Sequence, residues 1–195
     1  MATLTPTSEL EAVNVMLSAI GESPLNSLET LGNLYAAQAR DTLHAISREV
    51  QSAGFWFNEQ EQFTFTLNAQ KQVNAPSAIL KLFPARGGVP LVLRGNRVIN
   101  PTTGENTFDE PPTADYIVWF LPFEELPESA RRYIAVRAAR IFQTSVLGSD
   151  ALFMFTERHE EEAYQIFAME QSDFTYARGH NYLTDSPDVT TIWSR

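Results

Sequence analysis

Proton transfer near neutral pH and binding of transition metals both fall most naturally to histidine, and the chain has three, His44, His159 and His180. A metal site on one helix places two ligands three or four residues apart, and no histidine here has a second at that spacing. His159 falls on the apolar face of the helix expected around it. That position favours a packed, hydrogen-bonded core or interface histidine over a ligand or base. Glu157, Glu160, Glu161 and Glu162 supply the carboxylates that glycoside hydrolysis would need as acid and as base or nucleophile. Successive helix positions point around the axis, so only Glu157 with Glu160 or Glu161 shares a face, and a solvated surface is the favoured reading. The absence of cysteine removes disulfides, thiolate metal sites and cysteine nucleophiles. No nucleophile elbow, Walker loop or dinucleotide glycine pattern occurs, so nothing calls for a cofactor. Arg86-Gly87-Gly88 clusters glycine without an adjoining helix start, which favours a loop over a phosphate nest.

Arg131, Arg132, Arg137 and Arg140 place four of the fourteen basic residues in one ten-residue stretch of a chain whose net charge is −10. Their helical angles spread over more than half a turn. Ion pairing to acids of the same or an adjacent subunit is therefore favoured over a track for phosphates. The charge balance also argues against a small DNA-binding regulator. Apolar runs such as Tyr116 to Leu121 fall far short of the roughly 20 residues that span a bilayer. The first twenty residues lack the basic start and apolar middle of a secretory signal, so folding in a cytoplasm is expected.

These groups have to be positioned by elements that the residue spacing makes visible. Ser8 and Glu11 form a capping box, Leu10, Val13, Leu17 and Ile20 follow at helical spacing, and Gly21 supplies the stop, predicting a helix over 8–20. Ala36, Ala39, Leu43, Ile46, Val50 and Ala53 predict a second helix over about 34–53, closed by Gly54, with small residues early in its stripe. The aromatic run Phe55-Trp56-Phe57 then reads as core at a helix-to-sheet junction. The period changes to two at Phe63, Phe65 and Leu67, and Leu91–Leu93 and Arg97–Ile99 flank a Gly95-Asn96 hairpin turn. Prolines punctuate this stretch, so 59–120 reads as a small β insertion.

A third helix runs from Pro127 in its first turn to Gly148. Ala130, Ile134, Ala138, Ile141 and Phe142 form one stripe, and Tyr133, Val136 and Leu147 another nearly opposite, with Arg140 between them; a helix apolar on two sides needs two partners. A fourth is expected from an Asp150 cap to Gly179, with Leu152, Phe155, His159, Ala163, Ile166, Phe167 and Phe174 on one face. The remaining tail, 180–195, is polar and holds a proline, yet carries Tyr182, Ile192 and Trp193, side chains that suit folding onto a partner. The expected class is α+β, mainly α: an antiparallel helix bundle (1–58 and 121–179), an inserted antiparallel β domain (59–120) and an extended C-terminal tail (180–195).

Four stretches resemble a known family, the tail tubular protein A or tail adaptor family of short-tailed, podovirus-type bacteriophages. They are Leu17 to Pro24, Gln51 to Asn58, Pro127-Glu128 through Arg132-Tyr133-Ile134 to Arg140, and Glu160-Glu161-Glu162-Ala163. The resemblance covers nearly the whole chain in order and is weakest over the β segment. It implies a structural, non-enzymatic subunit, made and assembled in the host cytoplasm and located in the neck of the virion. It further implies a twelve-membered homo-oligomeric ring between the portal protein and a nozzle of the tail tubular protein B type, with phage DNA passing through the lumen unbound. On that footing Tyr182, Ile192, Trp193 and Arg195 are expected to dock on the portal, and Tyr133, Val136, Arg137, Arg140 and Leu147 to lie between subunits, because a ring uses two different surfaces of each subunit. The runner-up is a tail-associated polysaccharide hydrolase using Glu124, Glu125, Glu157 or Glu161.

Overall fold

A computed structural model describes residues 6–28, 34–148 and 156–177. Helices predominate over two small antiparallel sheets. The contacts divide the described chain into two compact units, one comprising residues up to His44 and from Pro127 onward, the other Ala45–Leu126. The first division falls inside the second helix.

In the helical unit, α1 (Glu9–Ala19) starts at the predicted capping box: Glu11 N–H donates to Ser8 Oγ, and Ser8 N–H donates to the Glu11 carboxylate. Its end is a Schellman motif. Gly21 N–H donates to Ser18 O and Glu22 N–H to Leu17 O, and Gly21 holds φ at +82°. Helix α2 (Leu34–Gln51) buries Ala36, Ala39, Leu43, Ile46 and Val50, as its stripe predicts. Ala53 lies past its end and is exposed. Across α1 and α2, Glu9 Oε1 meets Arg40 Nε at 2.8 Å and His44 Nε2 at 2.9 Å. His44 thus serves as a polar contact between helices.

Helix α3 (Glu128–Leu147) has Pro127 as its N-cap, one position earlier than expected, and Gly148 as its stop. Proline offers no capping side chain, and the first turn is tied down by Thr7 instead. Its N–H and Oγ1 donate to the Glu128 carboxylate at 2.8 and 2.6 Å, while Arg131 donates to Thr7 O at 3.0 Å. Ala130, Ile134, Ala138 and Phe142 are fully buried, and so, nearly, is Tyr133. Within its own chain α3 packs against α1 and against α4 (Glu157–Ala177).

Among the described side chains of α4 the buried ones are Ala163 and Phe167. Ile166 is exposed, and so is His159, which corrects its expected place on the apolar face. Its Nδ1 instead accepts from Thr156 N–H at 3.2 Å, satisfying a free donor at the start of the helix. The expectations for Asp150, Leu152, Phe155, Gly179 and the tail concern positions outside the described residues.

In the second unit, β5 (Thr113–Trp119) lies between β1 (Glu59–Thr64) and β2 (Ile79–Pro84), antiparallel to both. A separate hairpin pairs β3 (Val92–Arg94) with β4 (Arg97–Ile99) through the predicted Gly95-Asn96 turn, Gly95 taking φ +61°. Phe65, Val73, Ile79, Leu91, Val98, Phe108 and Ile117 make its core, with Phe63, Leu82 and Trp119 packed on it.

The junction of α2 with the sheet is held by buried amides. Gln51 Nε2 donates to Leu121 O at 2.9 Å and to Ser47 Oγ at 3.0 Å, and Leu121 N–H donates to Gln51 Oε1 at 2.8 Å. Asn58 Nδ2 donates to Gln51 O and Trp119 O, while Asn58 Oδ1 accepts from Phe55 N–H. Between these clamps Phe55, Trp56 and Phe57 are half-buried, Phe55 stacking on Phe57 and Trp56 meeting its edge. Gly54 takes φ +91°, and a Cβ there would come within 2.6 Å of Glu59 Oε1. The stretch 51–58 that carries part of the family resemblance is therefore a structural clasp.

Candidate functional site

Tyr133, Arg137 and Arg140 stand at positions i, i+4 and i+7 of α3, one face of the helix. That face lines a cleft of about 330 Å³ with Glu157, Glu160, Glu161 and Tyr164 of α4. Glu160 sits at its centre: Oε1 accepts from Arg137 Nη1 at 2.7 Å and Oε2 from Arg140 Nε at 2.5 Å. With only 12% of its side chain exposed, Glu160 is well shielded from water, whereas Glu157, 4.0 Å from Arg140, is 93% exposed. Coulombic attraction at the shielded pair is worth far more than at the rim. Tyr133 stacks on Phe167 with ring centroids 5.6 Å apart and tilts against Tyr164 at 5.3 Å. Burial pushes the Tyr133 hydroxyl above its ordinary pKa. Ser129 hydrogen-bonds to Glu170, adding another tie between the two helices.

This arrangement holds two helices together and offers no reaction centre. Both oxygens of Glu160 are engaged by guanidinium donors, the reverse of the apolar, cation-free setting that a general acid needs. Glu124 and Glu125 lie exposed on a single 3-10 turn in the other unit. Among the described residues no group of three or more His, Cys, Asp or Glu could hold a metal ion. The expected pairing of the arginine-rich helix with acids of the same chain is realised at Arg137 and Arg140. Val136 is half-buried and Leu147 is 42% exposed. Tyr182, Ile192, Trp193 and Arg195 lie outside the described residues.

Periodicity did not flag the buried amides Gln51 and Asn58 or Ser47. One signal for two of them was present, because Leu43, Ser47 and Gln51 continue one helical face at four-residue spacing, with polar side chains where core would be expected. Their partners, Leu121 and Trp119, are some seventy and sixty residues away.

The model of one protein family, described as tail tubular protein, matches residues 10–177. The chain belongs to the tail tubular protein family. It is also 29% identical over 163 residues to tail tubular protein A of Klebsiella phage KP34, covering 84% of this chain and 86% of that relative. As a tail tubular protein it is a structural component of the phage tail within the virion, and not an enzyme. The match runs through α1, α2, the β unit, α3 and α4, so the α3–α4 ion cluster and the Gln51 clasp both lie inside the family region. Among the described residues no helix of this tail tubular protein is long and apolar enough to cross a membrane.

Proposed function

We propose that this tail tubular protein is a ring-forming adaptor, twelve copies of which join the portal to a nozzle of the tail tubular protein B type and enclose part of the DNA ejection channel. Family membership across 10–177 is the observation that carries this reading. The net charge of −10 supports it, since an acidic wall repels the duplex and favours passage over sticking. Subunits meet at the α3–α4 edge, where Leu147 and Val136 supply apolar contact and Tyr133, Arg137 and Arg140 present the open cleft. Synthesis and assembly take place in the host cytoplasm.

Attachment to the portal is assigned to the C-terminal tail, with Tyr182, Ile192 and Trp193 as apolar anchors and Arg195 as a cation. Mixing the purified chain with portal rings and imaging the product tests the function: a ring added beneath the portal is expected, and its absence overturns the reading. Truncation after Gly179 is expected to leave a folded protein that no longer joins the portal. Normal attachment of that variant refutes the assignment of the tail.

A further inference from the structure

Charge is unevenly spread along this acidic chain. Residues 62–104 contain Lys71, Lys81, Arg86, Arg94 and Arg97 and no acid, so this stretch carries +5 and the remainder −15. Within it, Arg94 and Arg97 face each other directly across the β3–β4 hairpin. Like charges so placed destabilise a ladder, and none of the described ion pairs relieves either one. Val92, two residues before Arg94 and so on the same strand face, is 40% exposed, and Val89 in the preceding loop is 46% exposed. The hairpin thus presents a fork of two cations beside exposed apolar surface.

The matching surface is on α4. Glu162, Ile166, Met169 and Asp173 follow at i, i+4, i+7 and i+11, on a flank of the helix beside the buried Ala163 and Phe167. All four are exposed, Ile166 by 53% and Met169 by 66%. Among the described residues Glu162 is engaged only by exposed Arg158 one turn away, a pair of a kind that contributes little and is readily exchanged. The stripe is about 16 Å long at 1.5 Å per residue, longer than the roughly 10 Å of a three-residue strand, so the hairpin fits along part of it.

We propose that the Arg94/Arg97 hairpin of one copy docks on the Glu162–Asp173 stripe of α4 in a second copy. The fork cannot pair with itself, because like charges would meet. The contact therefore joins two different surfaces, as the head-to-tail contacts that close into a ring do. Val92 and Val89 favour a protein occupant over nucleic acid, since aliphatic side chains give nothing to a phosphate backbone. This inference rests on the ring-forming reading and deepens it by naming two surfaces that meet.

The test measures self-association of the full chain by sedimentation velocity across a concentration series, with circular dichroism to verify folding. Arg94→Glu/Arg97→Glu and Glu162→Arg/Asp173→Arg should each weaken association at least tenfold. An equimolar mixture of the two variants should recover it, because each reversed surface then finds its complement. Association of the wild-type chain should also weaken as salt rises. Wild-type oligomers that neither variant weakens overturn this contact and leave the ring reading standing. A wild-type chain that stays monomeric at every concentration and adds no ring to a portal overturns both. Binding of duplex DNA that Arg94→Glu/Arg97→Glu abolishes, with association unchanged, reassigns the fork to phosphate and also overturns the proposal.

Discussion

Replacing Gln51 by alanine removes a side chain that is fully buried and makes three hydrogen bonds, two of them to the backbone of Leu121. Leu121 N–H and C=O, in a partly buried position, would lose their partners. Each such loss costs about 1–3 kcal/mol, and the void left by the side chain adds to it, giving roughly 3–5 kcal/mol in all. That is a large share of the ~5–15 kcal/mol typical of a folded domain. Urea unfolding followed by tryptophan fluorescence suits the measurement, because Trp56 and Trp119 lie in the same unit. With a slope near 2 kcal/mol per molar, the midpoint should fall by about 1.5–2.5 M. Gln51→Met separates the two contributions, since it refills the volume without supplying the amide. It should still lose about 2 kcal/mol. A midpoint shift below about 0.5 M for alanine, or a methionine variant as stable as wild type, refutes the clasp as a major source of stability.

Glu160→Gln removes the shielded anion that Arg137 and Arg140 share, and the helical unit should lose about 2–3 kcal/mol, somewhat less than for a fully buried pair. Calorimetry should show the melting temperature reduced by about 5–10 °C, and an unchanged one would rule out the ion cluster as the α3–α4 tie. Gly21→Ala and Gly54→Ala both force alanine into a left-handed conformation, at about 1 kcal/mol each. Only Gly54 adds contacts, with Glu59 Oε1 at 2.6 Å and Val118 Cγ2 at 3.3 Å, so chemical denaturation should show the larger loss there, and equal losses would contradict the close approach. Because burial raises the Tyr133 pKa above its ordinary value of 10.0, the folded state resists ionisation of this group. Its contribution is complete below pH 10 and is lost as pH rises through the higher folded-state pKa. Denaturation midpoints should decline in that alkaline range for wild type, and less for Tyr133→Phe; superimposable curves would contradict this assignment.

Much of the helical framework was legible because its determinants are local. The Ser8–Glu11 box, the Gly21 stop, the 36–39–43–46–50 stripe and the Gly95-Asn96 turn depend on residues within one or two turns of each other, and the structure forms them as read. His159 was misplaced because α4 turns its Ala163 and Phe167 face inward, a rotation that depends on what α3 presents.

Charge and residue spacing by themselves determined that this chain is an acidic α+β protein without cysteine chemistry, and resemblance in four short stretches determined its family. Tertiary structure alone decided that Tyr133 of α3 is met by Tyr164 and Phe167 of α4 in the same chain, that Glu160 lies between two arginines, and that β5 separates β1 from β2. It likewise joined Gln51 to Leu121. These outcomes pair groups from twenty to seventy residues apart, and which distant groups meet depends on how several elements bury their apolar area together, a condition that no short stretch of sequence contains.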